Sequence, residues 1–387
     1  MTHRHVVGNK RLDGSLSYSR YTQSGVLSTA AEDNTLSRLQ LREELHAFAS
    51  ERLDVVAGVD ARHESQRLLV TTDRPWPELE RESTLLARGV NVDEHGFRVA
   101  GGVFSEARWT AGAFRVVPGL RLDGDSATES VVLDPRLNAR WQIGPDERLR
   151  LAVGQYSQFP DLLWLSPGAG SPWLPAAVSR QVALGFDYAF AGRLELEMDV
   201  WGKLGEDLVE VDADDRPRGV AGVAYGVELQ SRYRLRDTFF ASAGVTLSHA
   251  ERDEVLFDYD QPWAFNLVGS WNFRPTWNVG LRYRAGAGLP YTPVVDGTYD
   301  ATADSYEPVF GAENSERLPV FQKVDIHVQK DWRFRTWSLA VYGEGWFVPP
   351  GNNVMYLAYS YDYDEVGNVE GPVFVPLLGV RGAWGGG

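Results

Sequence analysis

The segment Leu194-Glu-Leu-Glu-Met-Asp-Val200 alternates apolar and acidic residues without a break. Successive side chains of a β-strand point to opposite faces of the sheet. One face of this segment is therefore wholly apolar, and the other is charged. Hydrocarbon on one side and water on the other is the environment that suits such a strand, so the segment predicts a membrane-spanning β-strand.

The same period-two pattern recurs in about sixteen segments, which is an even number, as expected for a bacterial barrel. The sequence therefore predicts an all-β fold, an antiparallel transmembrane β-barrel that forms one domain over residues 1–387. The predicted strands are Arg11–Tyr21, Leu36–Ala49, Leu53–Gln66, Phe97–Trp109, Phe114–Asp123, Val132–Ile143, Arg148–Gln158, Gln181–Phe190, Leu194–Lys203, Ala224–Leu235, Phe239–His249, Trp263–Phe273, Trp277–Gly286, Gln322–Trp332, Trp337–Phe347 and Phe374–Trp384.

The predicted connections alternate between short and long, as short periplasmic turns and long extracellular loops do in this architecture. The short ones include Ser50–Arg52, Thr110–Ala113, Ala191–Arg193 and Arg274–Thr276. The longest ones are Thr22–Thr35, Arg67–Gly96, Phe159–Arg180, Leu204–Val223, Ala287–Phe321 and Val348–Val373.

Composition excludes several classes of protein. The mean hydropathy is −0.29 and no long apolar run occurs, which argues against a transmembrane helix but not against strands. The chain has no cysteine, so it has neither disulfides nor thiolate metal sites. A net charge of −15 argues against nucleic acid as a partner, because phosphate binding needs a basic surface.

Two sets of residues follow from the alternation. Charged residues on the polar parity are predicted to face the lumen: Arg136, Arg140, Arg150, Glu195, Glu197, Asp199, Glu228, Arg232, Arg234, Arg282, Arg284 and Asp325. Aromatic residues beside the short turns or near the C-terminus are predicted to form a membrane girdle against the outer-membrane lipid. They are Trp109, Trp141, Phe190, Phe273, Trp277, Trp332, Trp337 and Trp384.

Several segments resemble, in order, the C-terminal barrel portion of TonB-dependent outer-membrane receptors. The first are Pro118-Gly-Leu-Arg-Leu-Asp123, Leu133-Asp-Pro-Arg-Leu-Asn-Ala-Arg-Trp141 and Tyr156-Ser-Gln-Phe-Pro160. Further on come Asp260-Gln-Pro-Trp263, Gly288-Leu-Pro-Tyr-Thr-Pro293, Leu318-Pro-Val-Phe321 and Leu377-Leu-Gly-Val-Arg-Gly-Ala-Trp384. The resemblance spans nearly the whole chain.

The resemblance implies a barrel of about twenty-two strands with a plug folded inside it. About six strands, the plug and the energy-coupling segment would then lie outside this sequence. Because the start lacks the features of a secretory signal, we expect Met1 to lie inside a longer gene product. The implied partners are the TonB complex, acting only through the missing plug, and the barrel-assembly machinery, which reads the closing strand. The implied location is the outer membrane of a Gram-negative bacterium.

Catalysis is not indicated. No nucleophile elbow, phosphate loop or dinucleotide fingerprint occurs, and the seven histidines are scattered, so we expect no enzyme activity, no cofactor and no metal site. The acidic and aromatic loops instead suggest recognition of a small nutrient of the siderophore, vitamin or oligosaccharide type. The candidate ligand contacts are Tyr291, Trp346 and Tyr361. Two alternatives stay open: a free-standing diffusion porin of about sixteen strands, and a surface adhesin or soluble β-protein.

Overall fold

The computed structural model describes residues 1–27, 30–71, 91–167, 170–211, 216–302 and 304–384, and these ranges contain 24 β-strands. No helix within them is long and apolar enough to cross a membrane. The first twelve strands are β1 (Thr2–Val7), β2 (Lys10–Leu27), β3 (Ala30–Ser50), β4 (Leu53–Thr71), β5 (Val92–Ala111), β6 (Phe114–Asp125), β7 (Ser130–Gln142), β8 (Glu147–Gln158), β9 (Ala177–Phe190), β10 (Leu194–Val211), β11 (Pro217–Leu235) and β12 (Phe239–Arg252).

The other twelve strands include several short ones in the loops. They are β13 (Val255–Leu256), β14 (Trp263–Arg274), β15 (Trp277–Gly286), β16 (Pro290–Tyr291), β17 (Val294–Asp300), β18 (Ser305–Phe310), β19 (Glu316–Arg317), β20 (Phe321–Arg333), β21 (Trp337–Phe347), β22 (Val354–Tyr359), β23 (Val366–Glu370) and β24 (Phe374–Trp384). The chain forms two compact units. Unit 1 comprises Met1–Gln142, Arg150–Ala183 and Lys203–Gly222, and unit 2 comprises Ile143–Leu149, Leu184–Gly202 and Val223–Gly387.

In unit 1, the strands from β1 to β7 pair antiparallel, each with the next one along the chain. The register places apolar residues of neighbouring strands side by side: Leu45 lies opposite Leu12 of β2 and Ala57 of β4. Leu45 is 41% exposed and Val103 on β5 is 52% exposed. These apolar side chains are therefore left uncovered by the described residues, which suits contact with lipid.

The opposite, polar face of unit 1 carries a buried charge network. Arg38, Glu64 and Arg98 lie side by side on β3, β4 and β5. Glu64 is only 2% exposed, and its two carboxylate oxygens lie 2.6 Å from Arg38 Nε and 2.7 Å from Arg98 Nε. Arg98 Nη1 also lies 3.8 Å from the Asp125 carboxylate. Because charges are rarely buried unless they are paired, this network fixes how the three strands align.

A loop segment of unit 1 packs on the same polar face. Leu162 and Leu165 are nearly buried, and they line a cavity of about 220 Å³ together with Gln66 and Leu68 of β4. The Ser166 hydroxyl donates a hydrogen bond to the Glu94 carboxylate on β5. The segment after β8 is thus held by apolar packing and by a polar contact.

In unit 2, the long strands also pair antiparallel. The pairs are β12 with β14, β14 with β15, β15 with β20, β20 with β21, and β21 with β24. The long connections contain short hairpins of their own, in which β16 pairs with β19, β17 with β18, and β22 with β23. These hairpins give the loops a defined structure beyond the ends of the long strands.

Each of the sixteen predicted strands overlaps a strand of the structure, so the all-β antiparallel prediction is confirmed. The prediction of Thr22–Thr35 as a long loop is wrong, because β2 and β3 stay paired from Thr22↔Thr35 to Leu27↔Ala30. Leu204–Val223 is likewise strand at both ends. Much of the predicted loop Arg67–Gly96 lies outside the described residues, and β4 and β5 extend into its ends. Strand β1 was not predicted.

Replacing Glu64 tests the buried network. We expect Glu64→Gln to lower the free energy of unfolding by about 3–5 kcal/mol, because it leaves the buried Arg98 without its nearest counter-charge. Urea unfolding in detergent micelles, followed by tryptophan fluorescence, measures this change.

The matched control is Glu206→Gln, which also removes one carboxylate from an arginine pair in unit 1. Glu206 and Arg180 are both about half exposed, at 53% and 52%, so solvent screens their interaction. We expect this variant to unfold like the wild type. An equal loss of stability in both variants would contradict the special role of the buried network.

Candidate functional site

The predicted polar-face residues of unit 2 are brought together in small groups. Arg232 Nη1 lies 2.9 Å from Glu197 and 3.8 Å from Glu195. The indole N–H of Trp201 donates a hydrogen bond to Glu228 over 3.1 Å. These contacts join residues of β10 to residues of β11, as expected when side chains of neighbouring strands share a face.

The remaining predicted polar-face residues occupy strands of both units. In β15 and β20 of unit 2, Arg282 is in register with Asp325, and Arg284 is in register with Lys323. The Arg234 guanidinium lies 5.8 Å from the ring centre of Phe240. In unit 1, Arg136 lies opposite Gly119 and Arg140 lies opposite Arg115. Arg150 belongs to β8, and Asp199 belongs to β10.

The predicted girdle aromatics contact other rings beside the short turns. In unit 1, Trp141 stacks on Phe114 with ring centres 5.3 Å apart, and Trp109 is 48% exposed. In unit 2, Trp337 stacks on Trp384 at 5.8 Å, and Phe273 contacts Trp277 at 6.1 Å. Phe190 and Trp332 are exposed as well. Such exposed aromatic rows suit a membrane interface, and the girdle itself stays a prediction.

Two loop hairpins of unit 2 meet through aromatic rings. Tyr306 of β18 lies 5.2 Å from Tyr299 of β17 and 5.5 Å from Tyr361, which follows β22. We call these three residues the tyrosine cluster. The Tyr361 hydroxyl donates a hydrogen bond to the Asp304 carbonyl over 2.6 Å. A Cβ at Gly297 would lie 2.3 Å from the Asp362 carbonyl oxygen, so only glycine permits this close approach of the hairpins.

The surroundings of the tyrosine cluster are acidic. Residues 294–310 and 348–373 contain no lysine and no arginine. The carboxylates of these two stretches are Asp296, Asp300, Asp304, Glu307, Asp362, Asp364, Glu365 and Glu370. A surface of exposed phenol rings and carboxylates can bind cationic groups through ring faces and charge, and hydroxylated groups through hydrogen bonds.

Local hydrogen bonds shift the acid–base behaviour of this surface. The hydrogen bond from Tyr299 to the Asp304 carboxylate, 2.7 Å long, raises the pKa of that phenol above its ordinary value. The Ser360 hydroxyl, which donates to Asp362 over 2.7 Å, lowers the pKa of the Asp362 carboxyl. Tyr299 therefore stays a neutral phenol near neutral pH, and Asp362 stays an ionised carboxylate.

The other two predicted ligand contacts lie elsewhere in unit 2. Tyr291 of β16 is in register with Glu316, and burial is the main cause that raises the pKa of its phenol. Trp346 of β21 lies on the polar face of the strands, with Lys323 Nζ 4.0 Å from its ring centre. The three predicted ligand contacts thus lie at three different places in unit 2, and only Tyr361 belongs to the tyrosine cluster.

Three loops of unit 2 are tied together by a buried ion pair. Asp260 is 2% exposed and accepts a hydrogen bond from the Ala250 backbone N–H over 2.7 Å. Arg317 donates to the Asp260 carboxylate, to the Asp260 carbonyl over 2.8 Å and to the Gly288 carbonyl over 3.3 Å. This pair joins the connection before β14, the connection after β15 and strand β19.

Sequence reasoning missed several residues of these surfaces. Lys323 and His327 share the parity of Asp325 on β20, so the alternation contained the signal for them. Tyr299 and Tyr306 lie in the acidic loop, but nothing in the sequence shows that they contact Tyr361. Among the described residues, no group of three or more histidine or acidic side chains is placed to hold a metal ion.

Residues 3–344 match the family model described as "TonB dependent receptor-like, beta-barrel". The chain belongs to this family. Comparison of the sequence with curated proteins gives no significant match. The prediction of a TonB-dependent receptor barrel is therefore confirmed at the level of the family.

Solved structures of a copper transporter, an iron transporter and a ferripyoverdine receptor share the fold. The copper transporter OprC aligns with a TM-score of 0.67 at 14% identity, over 97% of this chain and 62% of its own. The FrpB iron transporter of Neisseria meningitidis aligns with a TM-score of 0.66 at 15% identity, over 96% of this chain and 60% of its own.

The ferripyoverdine receptor of the outer membrane of Pseudomonas aeruginosa aligns with a TM-score of 0.69 at 11% identity, over 98% of this chain and 55% of its own. At such low identity these likenesses show the fold alone. The chain spans between about half and two thirds of the length of the three solved structures.

Replacing Asp304 in this TonB-dependent receptor barrel tests the acid–base behaviour of the tyrosine cluster. We expect Asp304→Asn to lower the pKa of Tyr299 towards its ordinary value, because the charged acceptor of its hydrogen bond is lost. Because the phenol pKa is raised in the folded state, the hydrogen bond stabilises the fold fully at a pH below the ordinary phenol pKa. This stabilisation is lost as the pH rises through the raised pKa. Ultraviolet difference titration measures the ionisation, and Tyr299→Phe identifies it.

Asp296→Asn serves as the control, since Asp296 lies in the same hairpin and its carboxylate accepts a hydrogen bond from the Gly297 backbone N–H rather than from a tyrosine. An equal shift of the Tyr299 ionisation in this variant would mean that general loop charge, and not the hydrogen bond, raises the pKa.

Proposed function

We propose that this chain is the barrel portion of an outer-membrane receptor that imports a scarce nutrient with energy supplied through TonB. The match over residues 3–344 carries the proposal. Because the matched family is one of receptors, a role in binding and transport is the function that the match favours. The apolar face of the strands supports a place in the outer membrane of a Gram-negative bacterium, where alternating strands meet lipid on one side. Its role is binding and transport rather than catalysis.

Energy coupling in this proposal depends on a plug domain. The solved relatives are longer than this chain, and we place the plug and further strands in the part of such a receptor beyond these 387 residues. The TonB complex would act on the plug and not on the barrel itself. The barrel-assembly machinery is the partner that we propose for the closing strand β24.

The tyrosine cluster supports recognition of a small ligand by the loops. Tyr361 is 68% exposed, and its ring is held by Tyr306 and by the hydrogen bond to Asp304. Held aromatic rings bind ligands at a low cost in side-chain entropy. We assign the ligand to the siderophore, vitamin or oligosaccharide type, with Tyr361 in contact and Tyr291 and Trp346 as further candidate contacts.

An uptake experiment with the complete gene tests this proposal. A deletion strain is grown with iron chelates, a cobalamin or oligosaccharides as the limiting nutrient, with and without TonB. We expect growth on one nutrient class to require both the gene and TonB. Tyr361→Ala in the complete protein should weaken uptake at low nutrient concentration by roughly five- to tenfold, since one stacking contact contributes about 1 kcal/mol.

Tyr259→Ala is the matched control, because Tyr259 is a loop tyrosine of unit 2 with 69% exposure and is not part of the tyrosine cluster. We expect it to transport normally. Uptake that persists without TonB, together with steady pores in a planar bilayer, would contradict the proposal and favour a diffusion porin. Recovery of the protein in the soluble fraction would favour an adhesin or soluble β-protein.

A further inference from the structure

The polar face of unit 2 contains a pocket of about 580 Å³ between β14, β15, β20 and β21. Its charged lining residues are Arg282, Arg284, Lys323, Asp325, His327 and Glu344. We call it the basic pocket, because it holds three permanent cations against two carboxylates. Neither the tyrosine cluster nor the loops contribute to its lining.

Strand register explains why these side chains converge. Arg282 lies between Val268 of β14 and Asp325 of β20, and Arg284 lies beside Lys323. Residues in register on one face have Cβ atoms about 4.5–5.5 Å apart. The pocket therefore gathers its charges from adjacent strands without any help from loops.

Small residues keep the floor of the basic pocket open. Gly280 of β15 lies between Ser270 of β14 and His327 of β20. A Cβ at Gly280 would lie 3.3 Å from the His327 Cβ, so even a methyl group would crowd this point. Gly280 thus lets His327 lie close to β15, and Gly280 and Ser270 line the pocket without large side chains that would fill it.

The carboxylates of the pocket already have ion-pair partners, although Asp325 Oδ1 accepts no hydrogen bond within the described residues. Lys323 Nζ lies 3.0 Å from Asp325, and His327 Nδ1 lies 3.0 Å from Glu344. Within the described part of the chain, no carboxylate lies within 4.0 Å of the guanidinium nitrogens of Arg282 or Arg284. Arg284 Nε is buried and finds no hydrogen-bond acceptor among the residues that the structure describes.

The buried Nε–H group of Arg284 needs a hydrogen-bond acceptor. A buried donor without an acceptor loses its hydration and gains nothing in return. Guanidinium groups match the planar oxygens of carboxylates and the oxygens of phosphates, and they bind them through paired hydrogen bonds. Two such groups at neighbouring positions of one strand face, beside a lysine, form a receptor for an oxyanion.

We propose that the basic pocket binds a small dissolved oxyanion, a carboxylate or phosphate compound, through Arg282 and Arg284. Lys323 adds positive charge but stays with Asp325 and over the Trp346 ring, so the two arginines are the direct ligands. The proposal concerns the barrel wall. It is independent of the TonB requirement and of ligand binding by the loops.

Calorimetric titration of the full chain in detergent micelles tests the proposal, with citrate and pyrophosphate as probes at constant ionic strength. We expect binding of at least one probe, and the stronger of the two tells whether carboxylate or phosphate is preferred. Arg282→Gln and Arg284→Gln should each weaken binding roughly tenfold or more, since a hydrogen bond to a charged group contributes at least about one decade in affinity. Arg284→Lys should bind with intermediate affinity.

Arg232→Gln is the matched control, because it removes one arginine of the polar face of unit 2 that already has Glu197 as its partner. We expect it to bind the probes like the wild type. Val268→Phe keeps every charge but fills the pocket, and it should also abolish binding. If an arginine variant fails to fold, the loss of binding in Val268→Phe still tests whether the probes bind in this pocket.

Unchanged binding in both arginine variants would overturn the proposal, and so would an equal loss in Arg232→Gln. Failure of both probes to bind the wild type would overturn it as well. Tyr361→Ala should leave probe binding unchanged, so the outcome is separate from the uptake experiment.

Discussion

The backbone ladder between strands that follow one another in the chain is the constraint on which the rest of the structure depends. The strands of unit 1 from β1 to β7 each pair with their neighbours in the sequence, so their backbone N–H and C=O groups hydrogen-bond between strands. In hydrocarbon an unsatisfied backbone group costs several kcal/mol. Because side chains alternate along a strand, a slip of one residue would exchange the two faces.

The same ladder determines the chemistry of the polar face. Charged residues in register are close enough to form ion pairs. Whether a pair forms depends on the charge of the residue on the neighbouring strand. Glu64 stands between Arg38 and Arg98, which yields a buried network of paired charges. Arg284 stands beside Lys323, and no carboxylate of the described residues forms an ion pair with its guanidinium. Strand register thus produces a network of paired charges in unit 1 and a pocket with an unpaired guanidinium N–H in unit 2.

The loops follow a different principle, since their structure depends on contacts between residues far apart in the sequence. Tyr361 and Tyr306 belong to separate hairpins, and they meet because Gly297 permits the backbones to approach. Asp260 and Arg317 join three connections of unit 2. Rigid attachment of loops to paired strands is what allows a surface of phenols and carboxylates to keep one arrangement.

The sequence predicts the long strands well, because apolar alternation follows directly from contact with two different surroundings. It misses the strand ends near Thr22 and Thr35, since backbone pairing continues there between polar residues that carry no alternation. It also misses β1, whose histidines and arginine hide the pattern. Parity places Arg282, Arg284 and Asp325 on one face, but which residues stand opposite them depends on register between strands. Local sequence does not determine that register.

The central claim is that the apolar and polar faces of the strands meet hydrocarbon and water. The chain has no cysteine, so single cysteines at positions 196 to 199 of β10 can carry spin labels without background. In lipid bilayers, we expect labels at Leu196 and Met198 to be accessible to oxygen, and labels at Glu197 and Asp199 to a water-soluble nickel chelate. Equal accessibility of all four labels to the nickel chelate would contradict the account.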